Sequence, residues 1–313
     1  MPFISICIPT YNSGEKLVRL LKSIEQQTFT DFEIVISDDS NNHDIHNLIN
    51  TTFKHLNIFY YHNATPLGTP NNWNNAVSKS KGDWINLMHH DDWYTHENSL
   101  LQFAEVAKKN AKTTLLFCAF ENIYLDKATS KKYFCTWLEI KMLKHNYLNL
   151  YKTFLPNPSC TLINKNYKPY LYDKTFKWLI DFDFYTTLLG IRNSFKYIPI
   201  ILVNVGMHSG QVTAAVFQNA SVEIPESIAL IDKYGEPILK NIFVYDFYWR
   251  LYRNLNIRNL DDFNFHLKGN AAYTSIKNII DAQSKVSANL LQNGFLSKGY
   301  MVFNYLKNYF FNK

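Results

Sequence analysis

The sequence predicts an α/β protein, a mostly parallel sheet with helices on both faces, followed by a helical C-terminal region. Two observations carry the prediction. Through residue 120, short β-branched apolar runs alternate with segments of helical periodicity. From about Ala220 onward the strand patterns vanish and helical ones take over. The composition agrees with an ordered chain that buries a sizeable core: 313 residues, 47% hydrophobic and only 19% charged. The boundary falls near residue 216, giving parts 1–216 and 217–313.

The elements follow in order. "FISICI" (3–8) reads as the first strand. Leu17, Leu20, Leu21 and Ile24 then recur at helical spacing, with Ser13 as the expected N-cap. "FEIVIS" (32–37) and "LNIFYYH" (56–62) are strands two and three, with a helix near 43–50 between them. "NNWNNAVSKSK" (71–81) is a short helix closed by Gly82, and "DWINLM" (83–88) is the fourth strand. Residues 96–110 are helical, and "TTLLFCAF" (113–120) is the fifth strand. Further on, "NPSCTLINK" (157–165) reads as a strand and "DFDFYTTLLG" (181–190) as a helix. "FKYIPIILVNVG" (195–206) reads as two extended runs broken by Pro199.

Charge and cysteine usage exclude several classes. The net charge is +6, from 32 basic and 26 acidic residues. This mild excess suits a phosphate-bearing substrate or an anionic membrane surface. No basic arm or nucleic-acid signature is present, so no nucleic-acid partner is expected. Cys7, Cys118, Cys135 and Cys160 are scattered without a C-x-x-C pair, which fits buried thiols in a reduced compartment rather than a zinc knuckle. The sequence enters a strand at once, with no basic n-region and no run of ~20 apolar residues, so a cytoplasmic site of action is expected. The ten glycines form neither G-x-G-x-x-G nor a P-loop. A nucleotide diphosphate on this sheet would therefore need a metal to offset its charge.

In open α/β sheets, ligands bind beyond the carboxyl ends of the strands, and the polar clusters sit there. "PTYN" (9–12) follows strand one; it reads as a turn or as a loop whose Tyr11 contacts a base or ribose. "DDSNN" (38–42) follows strand two; Asp39 or Ser40 can cap a helix, but a cap leaves the second carboxylate without a task. "HHDD" (89–92) follows strand four; Asp92 or Thr95 can cap the next helix, yet two imidazoles beside adjacent carboxylates suit a divalent cation such as Mn²⁺. Asp181 and Asp183 lie roughly 200° apart on a helix, so they face different ways. A carboxylate among Trp178, Leu179, Phe182 and Phe184 has the profile of a general base, or of an N-cap. His208 lies between two glycines in "VGMHSGQVT" (205–213), where a loop histidine is structural or completes a metal shell.

Taken together, these pieces resemble glycosyltransferase family 2, an inverting GT-A fold. The likeness begins with "SICIPTYNSGEKLVRLLKSIEQQTFTDFEIVISDDSNN" and continues through "PLGTPNNWNNAVSKSKGDWINLMHHDDWY", with Gly68, Asn74 and Gly82 at the family's places. It is good to about residue 125, moderate to 213 and absent beyond. The resemblance implies that Pro9, Thr10 and Tyr11 line a nucleobase pocket and that Asp39, with Asp38 beside it, binds a uracil-type base. It implies that Asn74, His89 and His90 border the donor, that Asp91 holds Mn²⁺ or Mg²⁺, and that His208 joins it near the diphosphate. It implies Asp181 as catalytic carboxylate, with Asp92 and Asp183 as secondary candidates. One departure stands out: the family's Asp-x-Asp-Asp is His89-His90-Asp91-Asp92 here. The implied activity is sugar transfer from a UDP-type nucleotide sugar to a glycan or lipid-linked hydroxyl in bacterial surface polysaccharide synthesis, with "LPNPSC" (155–160) on the acceptor side. Rival readings are a sugar nucleotidyltransferase, a metallohydrolase and a non-catalytic nucleotide-sugar-binding or scaffold subunit. "GYMVFNYLKNYFFNK" (299–313) lies outside the resemblance; it suits an interfacial helix at the inner face of a membrane, or a helix docking on the sheet or on another subunit of a homo-oligomer.

Overall fold

The computed structural model describes residues 1–153, 156–208, 216–270 and 273–311. Of the stretches singled out above, Leu155, residues 209–213 and residues 312–313 lie outside these. The chain forms two compact units. The first comprises Met1–Tyr147, Phe154–Lys174 and Ile180–Gly210; the second comprises Leu148–Thr153, Thr175–Leu179 and Gln211–Lys313.

In the first unit, among the described residues, nine strands join in one sheet: β1 (Ile4–Thr10), β2 (Phe32–Asp38), β3 (Ile58–His62), β4 (Trp84–Leu87), β5 (Trp93–Tyr94), β6 (Leu115–Tyr124), β7 (Thr129–Tyr133), β8 (Thr161–Asn164) and β9 (Phe195–Met207). Their order is β3-β2-β1-β4-β8-β6-β9-β5, with β7 paired to β6. The β3-β2-β1-β4 half is parallel. The rest is antiparallel apart from β6–β9, so the sheet is mixed, with helices on both sides. These helices are α1 (Gly14–Glu25), α2 (Asp44–Thr52), α3 (Asn71–Lys79), α4 (Ser99–Lys109), α5 (Trp137–His145) and α6 (Ile180–Ile191). All seven residues of β1 are buried, which is why its sequence is an apolar run rather than an alternation. Leu17, Leu20, Leu21 and Ile24 of α1 share a core cluster with Ile4, Ile6 and Ile8.

Local chemistry explains where the structure departs from the sequence reading. Ser13 occupies the N-cap of α1 but makes no side-chain cap bond. Neither Asp39 nor Ser40 caps α2, whose N-cap is His43; Asn98, not Asp92 or Thr95, precedes α4. Pro199 does not split its segment. The register against β6 jumps from Cys118–Ile198 to Ala119–Ile201, so Pro199, which has no N–H to donate, sits in a bulge of one continuous strand. Gly82 is required by close approach: a Cβ there would lie 2.6 Å from the Ser5 nitrogen.

The second unit contains α7 (Ala220–Tyr234), α8 (Ile242–Asn254), α9 (Leu260–Leu267), α10 (Thr274–Ser284), α11 (Ala288–Gln292) and α12 (Gly294–Leu306). Its core includes Tyr248, Trp249, Tyr252, Phe263, Ile276, Ile280 and Met301. Asparagine does the capping: Asn219, Asn241, Asn259 and Asn293 each accept backbone N–H bonds at the start of a helix. The Glu226 carboxylate accepts the N–H groups of Lys177, Trp178 and Leu179. Among the described residues, no helix is long and apolar enough to cross a membrane.

Candidate active site

Parallel pairing brings the polar strand ends to one rim. Thr10 pairs with Asp38, Asp38 with His62, and Cys7 with Leu87, so the segments after β1, β2 and β4 emerge side by side. Asp38 is fully buried and faces the chain itself. Its Oδ1 accepts from Thr10 Oγ1 (2.9 Å), from the Ser40 N–H (3.0 Å) and from Ser40 Oγ (2.6 Å), and its Oδ2 accepts from the Tyr60 hydroxyl (2.7 Å). Asp39 Oδ1 accepts from Asn63 Nδ2 (2.8 Å) and the Leu67 N–H (3.0 Å), while Oδ2 accepts from the Gly68 N–H (2.8 Å). Asp39 thus ties the loop before α3 to the end of β2. Tyr11 is exposed, and the Asn12 N–H donates to Ser40 Oγ (2.8 Å).

The "HHDD" turn packs across β1. His90 Nδ1 lies 3.3 Å from the Pro9 carbonyl. His89, Asp91 and Asp92 each offer a ligand atom within 4.8 Å of the others. His89 packs against Trp73 with ring centres 4.8 Å apart and planes tilted by 41°, and its Nε2 is buried without a hydrogen-bond partner. Burial is the main cause that pulls His89 down to about 4, so it stays neutral and keeps a lone pair at neutral pH. Burial also lowers His90. Asp92 accepts from Ser159 Oγ (2.5 Å), Asn157 Nδ2 (3.0 Å) and the Gly206 N–H (3.0 Å), which pins the turn to β9 and to the segment before β8. Burial, then the neighbouring Asp91, raises its carboxyl. Asp91 Oδ2 lies 3.1 Å from His208 Nε2, which in turn lies 2.9 Å from Lys16 Nζ. That nitrogen can donate to Asp91 or accept from Lys16, but not both. Gly206 permits the close approach: a Cβ there would lie 2.3 Å from the Asp91 carbonyl oxygen.

Asp181 opens α6, partly buried, with Oδ1 accepting the Phe182 N–H (2.9 Å). Burial raises it to about 6. Asp183 is buried. Asn74 engages both ends of its amide with one residue: Nδ2 donates to the Tyr172 carbonyl (2.8 Å) and Oδ1 accepts the Tyr172 N–H (2.9 Å). Its part in the site is therefore to hold Tyr172.

The sequence reading passed over Lys16 and Arg19. Arg19 lies 3.7 Å over the Trp93 ring, and its Nη2 donates to the Asp91 carbonyl (2.9 Å). A signal existed for Lys16, which sits in the first turn of α1, where the helix dipole disfavours positive charge. Asn157 and Ser159 lie in the "LPNPSC" stretch that the resemblance set on the acceptor side, but nothing in the sequence marked them as partners of Asp92. The donor set of one neutral imidazole with an orphaned nitrogen and two carboxylates fits a divalent ion of the Mn²⁺ type.

Comparisons with known proteins bear on the family and the fold. The sequence profile described as "Glycosyl transferase family 2" matches residues 5–168. The GalNAc(5)-diNAcBac-PP-undecaprenol beta-1,3-glucosyltransferase of Campylobacter jejuni is 33% identical over 94 residues, 29% of this chain and 30% of that protein. The chain therefore matches under a third of that relative's length. TarS 1-349 of S. aureus, solved in complex with UDP-GlcNAc, superposes with a TM-score of 0.63 at 17% identity, covering 97% of this chain and 89% of that one. The mannosyltransferase PcManGT from Pyrobaculum calidifontis, solved with GDP-Man and Mn²⁺, gives 0.56 at 13% identity, covering 100% and 88%. These two likenesses show the fold.

Proposed function

Since the chain belongs to glycosyl transferase family 2, we propose that it transfers a sugar, with inversion, from a nucleotide-diphosphate donor of the UDP type to a hydroxyl of a glycan or lipid-linked acceptor. The observation that carries this reading is the in-register parallel rim, which sets the ends of β1 and β2 beside the His89–Asp91–Asp92 group. In this reading Pro9, Thr10 and Tyr11 border the base. Asp39 Oδ2, holding one bond from Gly68, keeps a lone pair for a base N–H. Asp38 fixes Thr10 and Ser40. Asp91, with His89, His208 and Asp92 beside it, would hold Mn²⁺ or Mg²⁺, which when bound supplies positive charge against the departing diphosphate. Lys16 adds a fixed cation on the same side. The acceptor oxygen attacks the anomeric carbon from the face opposite the diphosphate, the carbon–oxygen bond to the diphosphate breaks, and Asp181 takes the acceptor proton. A carboxylate raised to about 6 is a stronger base than an ordinary one and still ionised at pH 7.

Peripheral attachment to an anionic membrane, on the cytoplasmic side, belongs to the same proposal. α12 buries Met301 and Tyr305 on one face and exposes Phe295, Tyr300, Phe303 and Leu306 on the other, with Phe310 exposed beyond its end. Residues 282–313 carry four lysines and no acidic residue, which suits anionic headgroups. The C. jejuni relative's name refers to an undecaprenol-linked glycan, and a lipid-linked acceptor would bring the substrate to such a surface.

The test is release of nucleotide diphosphate from a panel of UDP- and GDP-sugars with Mn²⁺, using N-acetylglucosamine linked through diphosphate to a short alkyl chain as acceptor probe. Product with the anomeric configuration inverted supports the reading. Retained configuration, or no turnover of any donor, counts against it.

A further inference from the structure

Three cations of the second unit gather around one buried carboxylate. On α8, Asp246, Arg250 and Arg253 stand at i, i+4 and i+7, on one helix face. Asp246 is 2% exposed, and its Oδ2 meets two cations, Arg250 Nε at 3.2 Å and Lys298 Nζ of α12 at 2.7 Å. Arg253 rests on neutral groups. Its Nε and Nη2 donate to Asn254 Oδ1 (3.1 and 2.9 Å), and its Nη1 donates to Ser297 Oγ (3.2 Å), on the residue before Lys298. Trp249 Nε1 donates to that same oxygen (3.0 Å), which locks α8 onto the first turn of α12.

One carboxylate cannot neutralise three cations, so the group keeps an excess of positive charge. Burial, and next the Arg250 charge, lowers Arg253. The side chains of Arg250 and Lys298 stay 42% and 47% open to solvent. Among the described residues, neither Arg250 Nη group has an acceptor. Asp246 thus fixes two cations at one point and leaves most of their donors for a ligand. An arginine fork matches two oxygens of a phosphate, and lysine adds a point charge. The neighbouring surface is apolar. Phe295 is 87% exposed and stands three residues before Lys298, on the adjoining strip of α12, and Leu296 and Phe303 are exposed on the same helix. Cations at the edge of an apolar strip suit an amphiphile that carries phosphate and hydrocarbon together. A free phosphate would use the cations and leave the phenyl rings in water.

We propose that Arg250, Arg253 and Lys298 form a site for the phosphate ester of a lipid, whose chains lie against Phe295 and the apolar strip of α12. This rests on the membrane reading of α12 and goes beyond it, since general attraction to a charged surface becomes recognition of one headgroup chemistry.

The experiment is flotation of the full chain with phosphatidylcholine vesicles that carry either phosphatidic acid or, at equal surface charge, oleic acid, which has no phosphate. We expect the wild type to bind the phosphatidic acid vesicles at least fivefold more tightly. Arg250→Gln and Lys298→Gln should each weaken that binding at least tenfold. Lys307→Gln, which removes a charge from the same tail, should weaken it no more than about fivefold, the share of any lysine near an anionic surface. Glutamine can still donate to Asp246, and melting temperatures check that each variant folds; the comparison of vesicles needs no variant. Equal wild-type affinity for the two vesicles would overturn the inference and leave surface attachment standing, as would losses in Arg250→Gln and Lys298→Gln no larger than in Lys307→Gln. A wild-type melting temperature raised as much by inorganic phosphate as by a soluble short-chain phosphatidic acid would assign the site to free phosphate and overturn the lipid as its ligand. A wild type that floats with neither vesicle would overturn the membrane reading and this inference with it, while sugar transfer, assayed without vesicles, stays a separate result.

Discussion

Replacing Asp181 with asparagine should raise stability while removing activity, and the size of the gain follows from the structure. The fold moves the carboxyl from 3.8 to about 6, roughly two pH units. At 1.36 kcal/mol per unit this is an upper limit of about 3 kcal/mol. The side chain keeps some access to solvent, so ~1–3 kcal/mol is the expected range. The sign is fixed by linkage. Below pH 3.8 the group is protonated whether folded or unfolded and costs nothing. As pH rises from 3.8 to about 6 the unfolded chain loses this proton while the folded protein holds it, so the penalty grows across that window and is complete by pH 8. Asparagine carries no such charge, and its Oδ1 can still accept the Phe182 N–H. The variant should therefore melt about 2–6 °C above wild type at pH 8, with a smaller difference at pH 4.5. Its turnover should fall by about 10²–10⁴, and the wild-type kcat should rise with pH through an apparent pKa near 6. Turnover within tenfold of wild type, or an equal loss of stability at both pH values, would refute the argument.

Three further substitutions test the surroundings. Gly206→Ala places a methyl group 2.3 Å from the Asp91 carbonyl oxygen and 3.2 Å from Arg19 Nη2; displacement of the turn should cost about 1–3 kcal/mol of stability, read as a lower melting temperature, and weaken metal-dependent stabilisation in the same thermal assay. Lys16→Met should raise the calorimetric Kd for UDP with Mn²⁺ by roughly tenfold through loss of a charge-assisted contact, with an unchanged melting temperature. His89→Asp restores the carboxylate of the family pattern; it should tighten Mg²⁺ binding by calorimetry, yet lower the metal-free melting temperature at pH 7 by burying a further charge against Trp73.

The parallel half of the sheet was legible because each of its strands is a short apolar run with a helix pattern or turn signal after it, and the polar clusters mark the strand ends. In the other half β6, β8 and β9 were legible as extended runs too, but β5 and β7 were not. β5 is two residues long, and β7, "TSKKY", is exposed on four of its five residues, so neither carries an apolar signal. α5 is held by a Thr136–Glu139 capping box and buries only Leu143, which leaves no helical stripe to read. At the site, residue type singled out Asp91 and Asp181 as candidates but not the residues packed around them. Asp38 and Asp39 read alike in sequence, and only the register shows that one faces Tyr60 and the other the 63–68 loop. Ser159 and Tyr172 come from distant segments of ordinary composition, and tertiary packing alone joins them to Asp92 and to Trp73.

The central claim, that a cation held at Asp91 joins a nucleotide diphosphate at this rim, is tested most directly by calorimetric titration of UDP into wild type and Asp91→Asn, each with Mn²⁺ and with excess chelator. The account predicts that Mn²⁺ tightens wild-type binding at least tenfold and leaves the variant unchanged. Equal affinity with metal and with chelator in the wild type, or the same metal-dependent gain in Asp91→Asn, would contradict it.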